Sequence, residues 1–183
     1  MDAMTIVEFS PEDLKANLAG LTEVLHASVM AGASINFVLP YEEADAARFW
    51  AEKVLPGLDA GKLVVLVASI DGKIAGTVQL DCDTPPNQPH RAELRKLIVD
   101  PRFRNRGIAR ALMVAIEAIA AARGRSLITL DTRTGDKAEP LYASLGYVTV
   151  GIVPGYARDV FEDRWDDCTF MYKRLDREAG ATA

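Results

Sequence analysis

Leu94–Arg110 reads LRKLIVDPRFRNRGIAR, and the reading of this stretch decides the fold. A β-rich run from Leu94 to Val99 stops at Asp100-Pro101. Arg102, Arg104, Arg106 and Arg110 follow, with Gly107 among them, and a helical pattern then begins. The first amides of a helix lack intrahelical acceptors and carry partial positive charge. Glycine lets a backbone approach a ligand closely. A strand, a basic glycine-containing loop and a helix therefore spell an anion site suited to phosphate or pyrophosphate. The competing structural reading is a basic turn with solvated arginines.

Two familiar nucleotide motifs are missing. GxxxxGK[ST] does not occur in the chain, and no GxGxxG follows a strand. Composition narrows the field further. At 183 residues the chain should form one domain, expected over 1–176, with 177–183 a disordered tail. A net charge of -5 argues against nucleic acid as a partner and makes the arginine cluster a local positive site on an acidic body. Cys82 and Cys168 form no CxxC and have no flanking histidine pattern, so free thiols and no metal centre are expected. MDAMTIVEF carries no signal-peptide pattern, and no apolar run approaches the ~20 residues that span a bilayer. A cytoplasmic protein with no membrane partner follows. Monomer and homodimer both remain open.

Working outward, Thr5–Phe9 is a first strand, and Ser10-Pro11-Glu12-Asp13 opens a helix. A second helix is expected from Tyr41 to Leu58, with Trp50 on its apolar face. Residues 33–40 between them are apolar and short of charge; core packing and a pocket wall both account for them. Leu63–Ile70 is almost wholly apolar, as a strand covered on both faces requires. Asp71-Gly72 is a hairpin turn to the strand Lys73–Leu80. Arg91–Val99 is the next strand. Strict alternation puts Arg91, Glu93, Arg95, Leu97 and Val99 on one face and Leu94, Lys96 and Ile98 on the other. A helix over Gly107–Arg123, a strand over Leu127–Thr132, a short helix over Ala138–Leu145 and a strand over Tyr147–Val153 follow. A loop over Pro154–Arg164 and a last strand over Trp165–Leu175 complete the chain. The order βααβββαβαββ predicts a mixed sheet.

A second constellation lies downstream. Leu141–Tyr147 reads LYASLGY and is separated from Arg104-Asn105-Arg106-Gly107-Ile108-Ala109 by one helix and one strand. The two segments resemble the [Q/R]-x-x-G-x-[G/A] and L-Y-x-x-x-G-[F/Y] signatures of the GNAT N-acetyltransferase family. Asn87–Leu97, Leu127–Thr132 and Val153-Pro154-Gly155-Tyr156 further resemble the tabtoxin-resistance-type acetyltransferases. The resemblance covers nearly the whole chain and is weakest over the first sixty residues.

The resemblance implies the layered α+β acyl-CoA N-acyltransferase fold, with six to seven strands and about four helices. It implies acetyl transfer from acetyl-CoA to a small-molecule amine, without a metal, by direct attack in a ternary complex. Arg102, Arg104, Asn105, Arg106, Gly107, Ile108, Ala109 and Arg110 would cradle the pyrophosphate, mainly through backbone N–H groups. Pantetheine would lie along Leu97, Ile98 and Val99, and a backbone N–H of Ile98 or a neighbour would polarise the thioester carbonyl. Tyr142 is the expected general acid. Glu93 and Asp131 are the candidate bases, bordering a cleft if their strands are neighbours, where proximity would push one pKa up. A surface ion pair for Glu93 and a turn cap for Asp131 are the structural alternatives. One position departs from the family: Gly135 stands where many members place a CoA-contacting Asn. No acyl-cysteine is expected, since neither cysteine adjoins the motifs. His26 reads as structural and His90 as solvated, with a pocket-lining His90 as the alternative; Asp159, Glu162, Asp163, Asp166 and Asp167 read as a solvated loop, with attraction of a cationic amine as the alternative. An acyl-CoA-binding regulatory or interaction domain without turnover is the alternative function.

Overall fold

The computed structural model describes residues 4–175, so the expected tail at 177–183 lies outside the described residues. The seven strands are β1 (Met4–Glu8), β2 (Leu63–Ile70), β3 (Lys73–Asp81), β4 (Arg91–Val99), β5 (Leu127–Arg133), β6 (Val148–Arg158) and β7 (Trp165–Arg174). They form one sheet in the order β1-β2-β3-β4-β5-β7-β6. Only β4 and β5 are parallel neighbours; every other pairing is antiparallel.

Helices α1 (Pro11–Ala16), α2 (Leu18–Met30), α3 (Glu43–Phe49) and α4 (Leu55–Asp59) build one layer, and α5 (Ile108–Ala122) the other. The short α6 (Ala138–Ser144) follows β5. Each layer has its own core. Val64, Leu66 and Ala68 of β2 pack with Leu112, Met113 and Ile116 of α5. Val65 and Val67 of the same strand pack with Leu21, Leu25 and Trp50 on the opposite face. The unbroken apolar run of β2 is thus consumed by two cores. Trp50 is a core residue, with Nε1 donating to the Leu21 carbonyl at 3.0 Å.

Three stretches differ from the expected elements. The first helix breaks at Asn17, whose Nδ2 donates to the Asp13 carbonyl at 2.8 Å and so competes with the helical ladder. The second contains a π turn at Trp50–Val54 before α4. The strand expected to end at Val153 runs on to Arg158, through Pro154 and Gly155. Pro154 is tolerated because β6 is an edge strand, where a missing N–H costs no ladder bond. The pairing with β7 shifts register between Val153 and Ala157.

The structural event that makes the site is in β4. Gln79 opposes Arg95, yet Thr77 opposes Ile98, so β4 holds one extra residue. Lys96 takes up the strain at φ 50. The bulge reverses the alternation read from the sequence. Ala92 and Leu94 enter the α5-side core, whereas Ile98 enters the other core. Leu97 and Val99 return to the α5 side. Gly76 sits under this stretch, where a Cβ would meet the Ile98 carbonyl oxygen at 2.7 Å.

β4 and β5 then part. They pair only at Arg91–Leu127, Ala92–Ile128 and Glu93–Thr129. Arg125 rivets the closed end, donating to the carbonyls of Pro89 at 2.6 Å and Arg91 at 3.0 Å. Beyond Glu93 the strands diverge and a cleft opens.

Candidate active site

The cleft is the deep end of a groove of about 1430 Å³, lined by the second half of β4, the Gly107 loop, the end of β5 and α6. Asp100 N–H donates to Ala75 on β3 at 2.9 Å. By alternation, the backbone groups of Val99 and Leu97 then turn away from β3 towards the cleft, while those of Ile98 turn to β3. The Val99 carbonyl accepts from Arg104 Nε at 3.4 Å, in keeping with that direction. Of the three residues expected along this strand, Leu97 and Val99 therefore offer backbone to the cleft, and Ile98 offers its side chain to the opposite core.

The loop joins β4 to α5 through a short 3₁₀ turn, Pro101–Phe103. Asn105 and Gly107 both have left-handed backbone, at φ 63 and φ 77. Gly107 is the N-cap of α5, and nothing lies within 4 Å of the position its Cβ would take. Arg104, Asn105, Gly107, Ile108, Ala109 and Arg110 line the groove. Arg102 and Arg106 are not among its lining residues. Arg102 grips the buried carboxylate of Asp100 at 2.6 Å and Glu23 at 2.8 Å. Those hydrogen bonds hold Asp100 below the usual carboxylate range despite its burial. The Arg106 guanidinium lies 5.5 Å from the centroid of the Phe103 ring. Arg110 donates to Ser144 Oγ on α6 at 2.6 Å, tying the loop to the second motif.

Tyr142 of α6 reaches the same groove and is only 5% exposed. Burial, reinforced by Asp136 and Asp131, pushes its phenol well above the usual tyrosine range, so the hydroxyl keeps its proton. Gly135, at φ 77, lines the groove with its N–H donated to Glu139 Oε2 at 2.8 Å.

Glu93 and Asp131 both border the point of divergence. Glu93 is held by Arg95 Nε at 3.0 Å, with Arg91 at 3.8 Å. Asp131 accepts from the Cys168 thiol at 3.4 Å. Cys168 thus adjoins a candidate base, though neither motif. Burial and then Asp131 push that thiol up to about 12, which keeps it in the weakly nucleophilic thiol form. Of the acids expected to form a solvated loop, Glu162, Asp163 and Asp167 are exposed, Asp166 is half-buried and Asp159 is buried. Asp159 accepts from the N–H groups of Phe161 and Glu162 and pairs with Arg133 and Arg164, which brings it down to about 2.

Some lining residues escaped the sequence reading. Residues 31–36 form a wall of the groove while Ile35 and Phe37 pack in the α2-side core, so both accounts of 33–40 hold. Tyr156, assigned to a loop, lies on β6, packs edge-on against Phe170 and faces the groove. Gln79, Arg95 and Lys96 form part of the floor. A polar residue inside an apolar strand run was the available signal for Lys96. Among the described residues no group of His, Cys, Asp and Glu could hold a metal, and no helix is long and apolar enough to cross a membrane.

This chain is similar to known proteins. The sequence model of the acetyltransferase (GNAT) family matches residues 30–147. An uncharacterised N-acetyltransferase of Azospirillum brasilense is 32% identical over 127 residues, 68% of this chain and 73% of that protein. The acetyltransferase ECA0875 of Pectobacterium atrosepticum is 33% identical over 131 residues, 68% and 86% of the two chains. Among solved structures, yncA of Salmonella typhimurium, determined with its cofactor acetyl-CoA, superposes with a TM-score of 0.77 at 22% identity, covering 99% of each chain. A family model that spans more than half of the chain, with relatives above 30% identity, shows that the chain belongs to the acetyltransferase (GNAT) family.

Proposed function

We propose that the protein transfers the acetyl group of acetyl-CoA to the amine of a small molecule by direct attack in a ternary complex. The observation that carries this reading is the parting of β4 from β5, which leaves the backbone of Leu97 and Val99 facing a groove that ends at the Gly107 loop. The residues fit the cosubstrate. The first-turn amides from Gly107 to Arg110 and the guanidiniums of Arg104 and Arg110 suit a pyrophosphate, and the open space at Gly107 admits it.

Acetyl-CoA supplies an acyl group activated as a thioester. The N–H of Leu97 or Val99 would hold the carbonyl oxygen as charge gathers on it. Asp131, directly or through one water, would take the proton that frees the amine lone pair. It suits this better than Glu93, which Arg95 and Arg91 already engage. As the new C–N bond forms and the C–S bond breaks, Tyr142 would return a proton to the departing sulfur. The similarity of Asn87–Leu97 and Val153–Tyr156 to the tabtoxin-resistance type favours a toxin- or antibiotic-like acceptor in the cytoplasm.

The test is CoA thiol release from acetyl-CoA across a panel of amines that includes amino-acid-like β-lactams and polyamines. Turnover of at least one amine is expected. Acetyl-CoA binding with no turnover on any amine would favour a regulatory acyl-CoA-binding domain instead.

A further inference from the structure

The floor of the groove on the α2 side is built from β3 and β4, and its donors are unevenly matched. Arg95 is satisfied twice, by Asp81 at 2.7 Å and Glu93 at 3.0 Å. Lys96 is its neighbour on the bulge, and its environment is very different. Its Nζ donates to the Ile35 carbonyl at 2.8 Å and lies 5.3 Å from the Phe37 ring centroid and 5.7 Å from that of Phe49. Among the described residues no carboxylate lies within ion-pair distance of it. A desolvated ammonium held by one carbonyl and two ring faces lacks a counter-anion, which is a costly state.

A second donor on the same face is also unmatched. Gln79, opposite Arg95, is only 3% exposed and lines the groove. Its Nε2 has no hydrogen-bond partner among the described residues. Buried amide hydrogens are normally paired, and an orphan one needs an account. An oxyanion over the floor would meet the Lys96 ammonium, and Gln79, which lines the groove while its Nε2 is sealed from it, would share that partner once its amide turns outward. The same chamber holds Glu93 and Asp131, two acids suited to an ammonium. Both are near enough to Lys96 to act on its charge electrostatically. Candidate anion and cation subsites thus line one groove.

We propose that Lys96 and Gln79 form a carboxylate subsite, so that the acceptor is a zwitterion whose amine and carboxylate are a few bonds apart. This rests on the acetyl-transfer reading for the identity of the amine end, while the anion subsite stands on its own geometry. Simple monoamines and polyamines would leave both donors unmatched and should be poor acceptors.

The test pairs each α-amino acid with its methyl ester. CoA release is measured for the wild type, K96M and Q79E, and calorimetry follows the same pairs binding to protein saturated with CoA. The wild type should prefer the free carboxylate by roughly 100-fold or more in kcat/KM, carried by KM. K96M should collapse that ratio towards unity. Q79E, which hands Lys96 an internal anion, should do so as well, and retained acetyl-CoA affinity reports that each variant is folded. Amines acetylated with no preference between acid and ester would overturn the subsite and leave acetyl transfer standing. A K96M loss falling on kcat alone, equal for acid and ester, would also overturn it. Lys96-dependent binding of the acid without any turnover would uphold the subsite and overturn the transferase. Binding of neither acid nor ester, with no turnover, would overturn both.

Discussion

In the proposed reading, the two ends of the groove would meet their ligands by different physical means. The donor end, at the Gly107 loop, works through backbone: left-handed residues at 105 and 107, the first turn of α5, and the exposed edge of Leu97 and Val99. The proposed acceptor end would work through side chains on the sheet: buried Gln79, half-buried Lys96 and Glu93, and exposed Arg95 and Asp131. Amides aimed by a loop recognise any pyrophosphate and need only a glycine at the right place. Charged side chains fixed along a strand recognise one arrangement of charge. The first kind of site is written in a motif, and the second in pairings that the chain makes across the sheet.

The sharpest blow to the donor end is Gly107→Glu. It sets a carboxylate at the helix mouth and a side chain at φ 77, a strained backbone for any L residue. Acetyl-CoA affinity by calorimetry should fall by about 1000-fold or more, and unchanged affinity would dissolve the contrast drawn between the ends.

The acceptor end has its own signature in stability against pH. Burial, with Arg95 adding to it, lowers the Lys96 ammonium to about 8. Between about pH 8 and the unfolded value of 10.5 the unfolded chain binds more protons than the native one. Native stability should therefore rise with pH across that window, by at most on the order of 3 kcal/mol. K96M should remove the rise. A urea-midpoint series from pH 7 to 10.5 checks it, and identical slopes for wild type and variant would show that Lys96 is not desolvated.

Tyr142→Phe probes the seam between the ends. It should lower kcat by about 100-fold and leave acetyl-CoA affinity intact, since the loss is one proton transfer. Full activity by CoA release would remove the acid role. The smallest effect belongs to the joint beneath the bulge. Gly76→Val would push a side chain into the Ile98 carbonyl and against Ile108 and Val99. A destabilisation of about 2 kcal/mol is expected from denaturant midpoints, and a neutral result would mean the bulge can yield.

The split between the ends also explains what could be read from the chain. Gly107, the α5 periodicity, Asp71-Gly72 and the doubly covered β2 obey local rules, and each lies where its pattern puts it. Lys96 does not obey one. Period-two reading assumes no inserted residue, and the bulge is visible only when β3 is laid beside β4. Pro154-Gly155 carries a turn signal, but at a sheet edge the same pair can continue a strand. Cys168 looked remote because its nearness to Asp131 comes from β7 pairing with β5, a contact across 37 positions. Gln79 gave no signal at all, since its orphaned amide is a fact of burial.

The closed end has a mechanical consequence. Within the sheet itself, three residue pairs join β1–β4 to the β5-β7-β6 half, braced by Arg125 and by the His90 carbonyl, which accepts from Ser126 and Leu127, while α5 packs across both. The sheet is thus two leaves on a short spine, and such a spine concentrates opening motions in one place. Amide hydrogens at positions 91 to 93 and 127 to 129 set the dividing line for deuterium uptake. The leaf beyond them should exchange as a unit, ahead of β2 and β3, whose faces are clasped by both helical layers.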